Sequence, residues 1–233
     1  MMNPSQMTPQ DRAKWAAAKA ALSYVKDGQT LGLGTGSTAD MFIQQLAEHV
    51  REKEMNITCV ATSGRSAQLA KSLGLAVAEF GQVEKIMLTV DGTDLVDAKK
   101  RLIKGYGGAC TREKIVEYAS EKLLIIADDS KKAAGLSGAV PVEFLPFAKT
   151  RVEKGLKKLG ARKIELKMNA EGRPFMTDNG FWILNADFGR IANPLKLEEG
   201  INDIEGVLEN GIFAKRGADI VIFGYANGKV VKK

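Results

Sequence analysis

Histidine is nearly absent from this sequence: His49 is the single one among 233 residues. The only cysteines are Cys59 and Cys110, and they lack C-x-x-C spacing. One histidine cannot build a multi-histidine metal site, and two separated cysteines argue against a cysteine-rich zinc site or a disulfide framework. We therefore expect a protein of a reducing compartment, the cytoplasm, without a structural metal.

Long apolar runs are also missing, and none approaches the about 20 residues of a membrane-spanning helix. The first twelve residues are polar and lack the apolar core of a secretory signal. The net charge is +6, but lysine and arginine alternate with acidic residues instead of forming the basic stripe of a nucleic-acid-binding protein. We expect neither a membrane nor a nucleic acid as partner, and the positive excess suits a small anion.

Short apolar segments alternate with helical segments through the first 136 residues, which predicts a parallel sheet covered by helices on both faces. From about Pro141 the order becomes β-α-β-β-α-β, typical of a split ferredoxin-like unit. The apolar segment 219–224 is expected to return to the first sheet. The predicted fold is α/β: a Rossmann-like domain, 1–136 plus 214–233, with an inserted ferredoxin-like α+β domain, 137–213.

A glycine-rich turn, Gly34-Thr35-Gly36-Ser37-Thr38, lies between a predicted strand and a predicted helix. Glycines let backbone N–H groups approach an anion, and the start of a helix adds partial positive charge. The alternative interpretation is a plain tight turn with a Ser or Thr helix cap. The motif is neither a G-x-G-x-x-G fingerprint nor a Walker loop.

Two aspartates, Asp91 and Asp94, follow another predicted strand in the run VDGTD. Ligands of open α/β sheets bind at the carboxyl ends of the strands, where such carboxylates can receive hydroxyl groups or move protons. A structural Asx turn is the alternative.

The run KGYGGACTREK, residues 104–114, brings a lysine into a glycine-rich loop and a glutamate onto the first turn of a helix. A helix-start charge alone would explain Glu113 but neither Lys104 nor the glycines. A further lysine, Lys131, follows the strand at 123–127 in ADDSK; alone, that segment is an ordinary solvated turn. Chance poorly explains four such motifs after strands of one sheet.

These segments resemble the type A family of ribose-5-phosphate isomerases. The matching runs are GTGST, TSGRSAQLAKSLGL, VDGTD, LIKGYGGACTREKIV, ADDSK, PVEFLPFA, and TDNGFWIL through VLENGIFAKRGADIVIFG. They occur in order from about Lys14 to Gly224, nearly the whole chain. The resemblance implies interconversion of ribose 5-phosphate and ribulose 5-phosphate through an enediol, without metal or organic cofactor, by a homo-oligomer for which we expect a dimer.

The resemblance also implies residue roles. Glu113 matches the base that moves a proton between C2 and C1, and Asp91 matches an acid/base group for ring opening. Asp94 lies beside the reacting hydroxyls, and Lys104 stabilises the enediolate. The implied substrate-binding residues are Lys14, Thr35, Gly36, Ser37, Thr38, Asp91, Gly92, Thr93, Asp94, Lys104, Gly105, Tyr106, Gly107 and Lys131, with Lys14 and Lys131 near the phosphate.

Two positions depart from the family pattern: Leu95 replaces the final acidic residue of DGADE, and Tyr106 replaces a glycine of KGGGGA. A tyrosine restricts positive φ and can change which sugars fit. A sugar-phosphate isomerase with a shifted substrate range therefore stays open. Amino-sugar-phosphate isomerase/deaminases depend on a histidine near the site, and His49 lies outside every motif. A non-catalytic sugar-phosphate sensor would be expected to carry a DNA-binding module, and no helix-turn-helix pattern precedes Gly34.

Overall fold

The computed structural model describes residues 7–233; residues 1–6, part of the predicted polar N-terminal stretch, lie outside the described residues. Contacts divide the chain into two compact units. Unit 1 contains the described part of Met1–Thr93, together with Ile115–Lys131 and Ala218–Lys233. Unit 2 contains Asp94–Lys114 and Lys132–Gly217.

The α-helices, numbered in chain order, are α1 Pro9–Ala21, α2 Ser37–Glu52, α3 Gly64–Ser72, α4 Cys110–Tyr118, α5 Lys149–Lys158 and α6 Pro194–Asn202. The strands are β1 Thr30–Leu33, β2 Thr58–Ala61, β3 Leu88–Asp91, β4 Leu95–Val96, β5 Leu102–Ile103, β6 Leu123–Asp128, β7 Ser137–Phe144, β8 Lys163–Leu166, β9 Trp182–Arg190, β10 Val207–Asn210, β11 Ile212–Phe213, β12 Ile220–Gly224 and β13 Val230–Lys232. Short 3₁₀ helices lie at Leu22–Tyr24, Phe80–Gln82, Asp129–Lys131 and Pro146–Ala148.

Unit 1 is built on a six-stranded sheet in the order β13-β12-β6-β3-β1-β2. All neighbouring strands are parallel except β12 and β13. The chain passes from β1 outward to β2 and then back across β1 to β3, so the strand order reverses between β1 and β3. Such a reversal opens a crevice at the carboxyl ends of the two strands, the usual ligand position in open α/β sheets.

Burial explains why these segments form a parallel sheet. Every residue of β6 is buried, as is every residue of β3, because helices cover the sheet and leave little polar alternation along the strands. Helix α1 packs on β6 and β12 through a row of small residues, which allows a close helix–sheet approach. Its buried positions are Ala13, Ala17, Ala18 and Ala21.

Unit 2 contains a four-stranded antiparallel sheet in the order β10-β7-β9-β8. In chain order its elements are β7-α5-β8-β9-α6-β10, which is the predicted ferredoxin-like sequence of elements. Side chains such as Val152 and Leu156 of α5 and Ile201 of α6 join the sheet residues Val142 and Leu184 in one apolar core. The prediction of a Rossmann-like sheet with an inserted ferredoxin-like α+β unit is confirmed.

Several details differ from the sequence prediction. The last strand of the predicted β-α-β-β-α-β order is followed directly by a second short strand, because β10 pairs with β7 whereas β11 pairs with β5. Strands β4, β5 and β11 form a separate three-stranded sheet, so the expectation that all four motifs follow strands of one sheet is wrong for the run that begins at Lys104, which follows β5. Strand β13 extends the first sheet. Residues 94–114, which the predicted boundaries place in the first domain, have most of their contacts in unit 2. The predicted domain boundaries remain a prediction.

Gly224 at the end of β12 provides a test of the close contact between α1 and the sheet. A Cβ at this position would lie 1.9 Å from the carbonyl oxygen of Ala13 and 2.9 Å from the amide nitrogen of Ala17. Because backbone atoms cannot yield as a side chain can, we expect Gly224→Ala to lower the free energy of unfolding by about 1–3 kcal/mol.

Urea unfolding of the purified variant measures this loss. Gly81→Ala is the matched control, because no atom lies within 4 Å of a Cβ there and φ is not positive. The control should change the free energy of unfolding by less than about 0.5 kcal/mol. Equal stability of the two variants would mean that α1 does not approach β12 this closely.

Candidate active site

The turn after β1 is held against the end of β3 in unit 1. The Gly34 amide donates to the carbonyl of Val90 (3.0 Å), and the Thr35 amide donates to Asp91 Oδ1 (3.0 Å). A Cβ on Gly34 would lie 1.9 Å from that same Oδ1. Glycine at position 34 is therefore required for Asp91 to occupy the crevice where the strand order reverses.

The N-terminus of α2 continues this turn and carries hydroxyl and ammonium groups. Gly36 precedes the helix with φ +117°, a conformation that L side chains rarely adopt. Lys14 Nζ donates to Ser37 Oγ (3.1 Å), which places a cation beside the positive end of a 16-residue helix. Thr38 lies near Gly92, 3.7 Å from where a Cβ on that glycine would be. Amides, a hydroxyl and a cation at a helix start form a typical anion-binding arrangement.

A cluster of hydroxyl groups supports this turn and was not singled out from the sequence. Thr35 Oγ1 lies 2.7 Å from Thr62 Oγ1, donates to Ser63 Oγ (2.9 Å) and lies 3.3 Å from Ser66 Oγ. Ser66 Oγ donates to the carbonyl of Gly34 (2.8 Å). Because the Thr35 hydroxyl is turned toward this cluster, the Thr35 group facing Asp91 is the backbone amide. The spacing Ser63-x-x-Ser66 before a helical segment was the available signal, since Ser63 caps α3.

Lys131 belongs to the same edge of the unit 1 sheet. It ends the 3₁₀ helix Asp129–Lys131, which directly follows β6, and its side chain is half-buried. Strand β6 is the neighbour of β3 in the sheet. The structure therefore places Lys131 after the strand adjacent to the one that ends in Asp91.

In unit 2, Lys104 and Glu113 form a buried pair of opposite charges. Lys104 Nζ lies 3.6 Å from Glu113 Oε1, and their side chains are 2% and 4% exposed. Lys104 follows β5, and Glu113 lies in the first turn of α4, where its negative charge is favoured by the partial positive charge of the helix start. The pair faces little solvent, so each charge acts on neighbouring groups more strongly than it would in water.

The loop between these two residues is shaped by glycines at two positions. Gly105 (φ +96°) packs against Cys110, and Gly108 (φ +95°) packs against the ring of Phe175; a Cβ would lie within 2.5 Å of each neighbour. Tyr106 does not adopt positive φ. The loop tolerates a tyrosine at position 106 because its left-handed residues are at 105 and 108.

Tyr106 is fixed at both ends. Its amide donates to Asp94 Oδ2 (3.0 Å), and its hydroxyl donates to the carbonyl of Ala139 (2.8 Å). Lys167 Nζ donates to the Tyr106 carbonyl (2.7 Å). Partial burial, followed by the negative charges of Asp94 and Asp187, raises the pKa of the phenol, which stays a neutral donor. The ring is 43% exposed and forms part of the loop surface.

Leu95, the second departure from the family pattern, has a structural explanation. It lies on β4 opposite Ile103 of β5 and packs against the apolar core of unit 2. An apolar residue is favoured here because the position faces other apolar side chains. Leu95 therefore acts in packing, and Asp94 before it still bonds the Tyr106 amide.

The predicted site residues thus fall into two groups. Unit 1 brings together Lys14, the Gly34–Thr38 turn and the strand end at Asp91, with Lys131 at the same edge. Unit 2 brings together Asp94, Tyr106, Lys104 and Glu113.

Both cysteines are buried and unpaired as disulfides. Burial raises the pKa of the Cys59 thiol to about 12, and burial followed by the nearby Glu143 raises that of Cys110 still further. Neither thiol is a thiolate near neutral pH, so neither is suited to nucleophilic chemistry. Among residues 7–233, no group of three or more His, Cys, Asp or Glu side chains is arranged to hold a metal ion. Over the same range, no helix is long and apolar enough to cross a membrane.

Unit 1 has a turn suited to anion binding where the strand order of its parallel sheet reverses. Unit 2 has a buried carboxylate with an adjacent ammonium group. These features are typical of an acid–base enzyme for small anionic substrates. The sequence profile described as "Ribose 5-phosphate isomerase A (phosphoriboisomerase A)" matches residues 58–228. The chain belongs to the ribose-5-phosphate isomerase A family.

Relatives match along nearly the whole chain. The ribose-5-phosphate isomerase A of Dinoroseobacter shibae is 43% identical over 232 residues, covering 97% of this chain and 88% of that protein. The ribose-5-phosphate isomerase A of a Synechococcus strain is 44% identical over 227 residues, covering 95% and 97%.

Solved structures agree with this assignment. A D-ribose-5-phosphate isomerase in complex with phospho-erythronic acid superposes with a TM-score of 0.92 at 41% identity, covering 97% of this chain and 99% of that one. The ribose 5-phosphate isomerase of Plasmodium falciparum gives a TM-score of 0.90 at 32% identity, covering 96% and 98%.

Tyr106 provides a test of substrate range. Removing the ring with Tyr106→Gly should change the relative kcat/KM for pentose and hexose phosphates by about tenfold, because small changes in a pocket wall have effects of this order. Kinetics with a panel of aldose phosphates measures the ranking.

Tyr106→Phe is the matched control, since it keeps the ring and removes only the hydroxyl that bonds to Ala139. The phenylalanine variant should keep the substrate ranking of the parent. If the glycine variant also keeps it, the ring faces solvent and does not select substrate.

Proposed function

We propose that this chain interconverts D-ribose 5-phosphate and D-ribulose 5-phosphate through an enediol(ate), in the non-oxidative branch of the pentose phosphate pathway. Family membership supports the reaction, and the buried pair of Lys104 and Glu113, 3.6 Å apart, is the observation that carries the mechanism. An aldose–ketose isomerisation needs a base at carbon and a cation at oxygen, and this pair supplies both.

Glu113 is the proposed base. Its carboxylate takes the proton from C2 of the open-chain aldose and returns it to C1, while the hydroxyl proton moves from O2 to O1. A carbon-bound proton next to a carbonyl is weakly acidic, so the negative charge that develops on oxygen must be stabilised. We assign this role to Lys104, whose ammonium group is already desolvated and needs no reorganisation during the reaction.

The two aspartates have proposed roles on the sugar hydroxyls. Asp91 would move protons between the anomeric hydroxyl and the ring oxygen when the furanose opens. Two backbone amides, those of Thr35 and Gly92, donate to its Oδ1 at 3.0 and 2.6 Å and fix its orientation. Asp94, whose Oδ2 accepts from the Tyr106 amide, would bind the hydroxyls of the reacting carbons.

The phosphate would be bound at the start of α2. Lys14, Ser37 and Thr38 provide a cation and two hydroxyls at the positive end of this helix, and Lys131 adds a second cation. The remaining predicted contacts of the sugar phosphate are Gly36, Gly92, Thr93, Gly105 and Gly107. No organic cofactor or metal enters this proposal.

We also propose a cytoplasmic homo-oligomer, most simply a dimer, without nucleic-acid or membrane partners. Two buried free thiols suit a reducing compartment. The side chain of Phe147 is 96% exposed, and contact with a second copy of the chain would remove this apolar surface from water. Light scattering on the purified protein gives the mass of the assembly, and a monomer at micromolar concentration would contradict the proposal.

Lys131→Ala tests the phosphate site. Binding energy from a remote phosphate can be used at the transition state. We therefore expect kcat/KM for ribose 5-phosphate to fall by at least about tenfold, with a much smaller effect on isomerisation of unphosphorylated ribose. Lys132→Ala is the control for loss of one positive charge, because the side chain of Lys132, which follows Lys131 in the chain, is exposed. Equal losses for both sugars would remove Lys131 from the phosphate site.

Glu113→Gln tests the base. It keeps the shape of the side chain but removes the proton acceptor, and loss of a positioned base typically costs about 10²–10⁴-fold in rate. We expect a folded variant that binds phospho-erythronic acid but has lost most of its kcat. The variant should also fail to exchange the C2 proton of the substrate with deuterated solvent.

Glu121→Gln is the control for loss of a carboxylate, since Glu121 is half-exposed and pairs with Lys85 on the surface. The control should keep the parent kcat. If Glu113→Gln retains more than about a tenth of the parent kcat, Glu113 is only a helix-start charge and another group is the base.

A further inference from the structure

At the start of α4, the residues on both sides of Glu113 contact other parts of unit 2. Each of them has a partner from a different segment of that unit. Cys110 packs against Gly105, Thr111 bonds Glu143 of β7, Arg112 bonds Asn179, and Lys114 pairs with Glu198 of α6 and Glu209 of β10. So many side-chain contacts on one helical turn require an explanation beyond the stability of a nine-residue helix.

Glu143 is the most unusual of these partners. It is fully buried, although the strand that carries it is otherwise apolar at its inner positions. Its carboxylate accepts from Thr111 Oγ1 (2.5 Å), Thr177 Oγ1 (2.6 Å) and Asn179 Nδ2 (3.0 Å). All three donors are neutral side chains. Burying a carboxylate is costly unless its oxygens are hydrogen-bonded, so this group depends on all of its donors.

The location of the carboxylate at a helix start lowers this cost. Thr111 lies in the first turn of α4, and the partial positive charge of a helix N-terminus favours a nearby anion. Glu143 and the start of α4 therefore stabilise each other through one short hydrogen bond and one charge–dipole contact.

Helix geometry connects this contact to Glu113. Successive residues of an α-helix are rotated by about 100°, so side chains two positions apart, such as those of Thr111 and Glu113, leave the helix on nearly opposite faces. A restraint on the Thr111 face consequently fixes the rotation and depth of the turn that carries Glu113. A displacement of about 1 Å at a reacting group can cost about 10²-fold in rate.

We propose that Glu143 is a positioning residue for the isomerase reaction: through Thr111 it sets the orientation of the helical turn that presents Glu113 to the substrate. This inference rests on the proposed role of Glu113 as the base. In this proposal Glu143 does not contact the substrate, and it affects kcat because it holds α4 in place.

Thr111→Val and Thr177→Val form a matched pair of variants. Both replace a buried threonine by a residue of the same shape, and both remove one hydroxyl donor from the same carboxylate. Thr177→Val also removes the acceptor of the Asn179 and Phe181 amides, so it is the more disruptive of the two for local structure and a stringent control. Only Thr111 lies on α4. We expect Thr111→Val to lower kcat by at least about tenfold with KM within about threefold of the parent, because misplacement of the base affects the chemical step. Thr177→Val should keep kcat within about threefold, even where the two variants lose similar melting temperature.

Two further variants complete the design. Thr111→Ser keeps the donor and should retain most of the parent kcat. Glu143→Gln replaces one carboxylate oxygen by an NH₂ group, which cannot accept a hydrogen bond, so its donors must compete for the remaining oxygen. We expect kcat to fall in this variant as it does in Thr111→Val. If Glu143→Gln does not fold, the threonine variants still decide the matter.

Amide hydrogen exchange gives a readout that does not depend on activity. Thr111→Val should speed exchange in residues 110–114 more than Thr177→Val does. Equal loss of kcat in the two valine variants, in proportion to their melting temperatures, would show that Glu143 is only a structural carboxylate and overturn the proposal. Full kcat in Thr111→Val would do the same. An active Glu113→Gln enzyme would instead contradict the assignment of the base, while faster exchange in Thr111→Val would still show that Glu143 holds α4.

Discussion

Two opposite charges, those of Lys104 and Glu113, lie 3.6 Å apart with almost no exposure to solvent, and hydrogen bonds from the Lys104 backbone and from the neighbours of Glu113 hold them in unit 2. Removing such charges from water is costly, and their attraction compensates only when both groups are held in a suitable geometry. The Lys104 backbone is fixed by a hydrogen bond from its amide to the carbonyl of Gly211 (2.9 Å). The Glu113 backbone is fixed by the contacts of its neighbours on α4.

The ring of Phe213 shows how tightly charge and packing are combined in this unit. Lys104 Nζ lies 5.8 Å from the centre of this ring and Lys114 Nζ 4.8 Å from it, within the range of cation–π attraction. Lys114 is further paired with Glu198 and Glu209. Both ammonium groups are therefore stabilised by the same aromatic ring, which lowers the cost of burying two positive charges in this unit.

In unit 1 the corresponding constraint is the close approach of the turn after β1 to the end of β3. This arrangement depends on glycine at position 34, where a side chain would collide with Asp91, and at position 36, where φ is positive. The hydroxyls of Thr62, Ser63 and Ser66 then hold the Thr35 side chain away from the turn surface. A rigid turn loses little entropy when a ligand binds, which suits the phosphate-binding role proposed for it.

Much of this architecture could be predicted from the sequence. The apolar runs at 31–33 and 123–127 predicted two strands of the first sheet, and three of the four motifs, GTGST, VDGTD and ADDSK, follow strands of that sheet as expected. The fourth motif, KGYGGACTREK, follows β5 of the separate three-stranded sheet. The short strands β4, β5 and β11 were not predictable, because two-residue strands carry no periodicity and β11 pairs with a strand far away in sequence, β5.

The sequence by itself determined the order of the main elements and the α/β class, and it supplied the residues proposed to carry the chemistry, because these depend on local hydrophobic patterns and short motifs. Only the tertiary structure decided which side chains from distant parts of the chain contact those residues and fix their positions. Glu143 in the apolar run PVEF looks like an exception to a strand pattern, and its donors Thr111 and Thr177 are 32 and 34 residues away. The physical reason is that a buried carboxylate must find donors wherever the folded chain brings them, and no local spacing encodes that meeting.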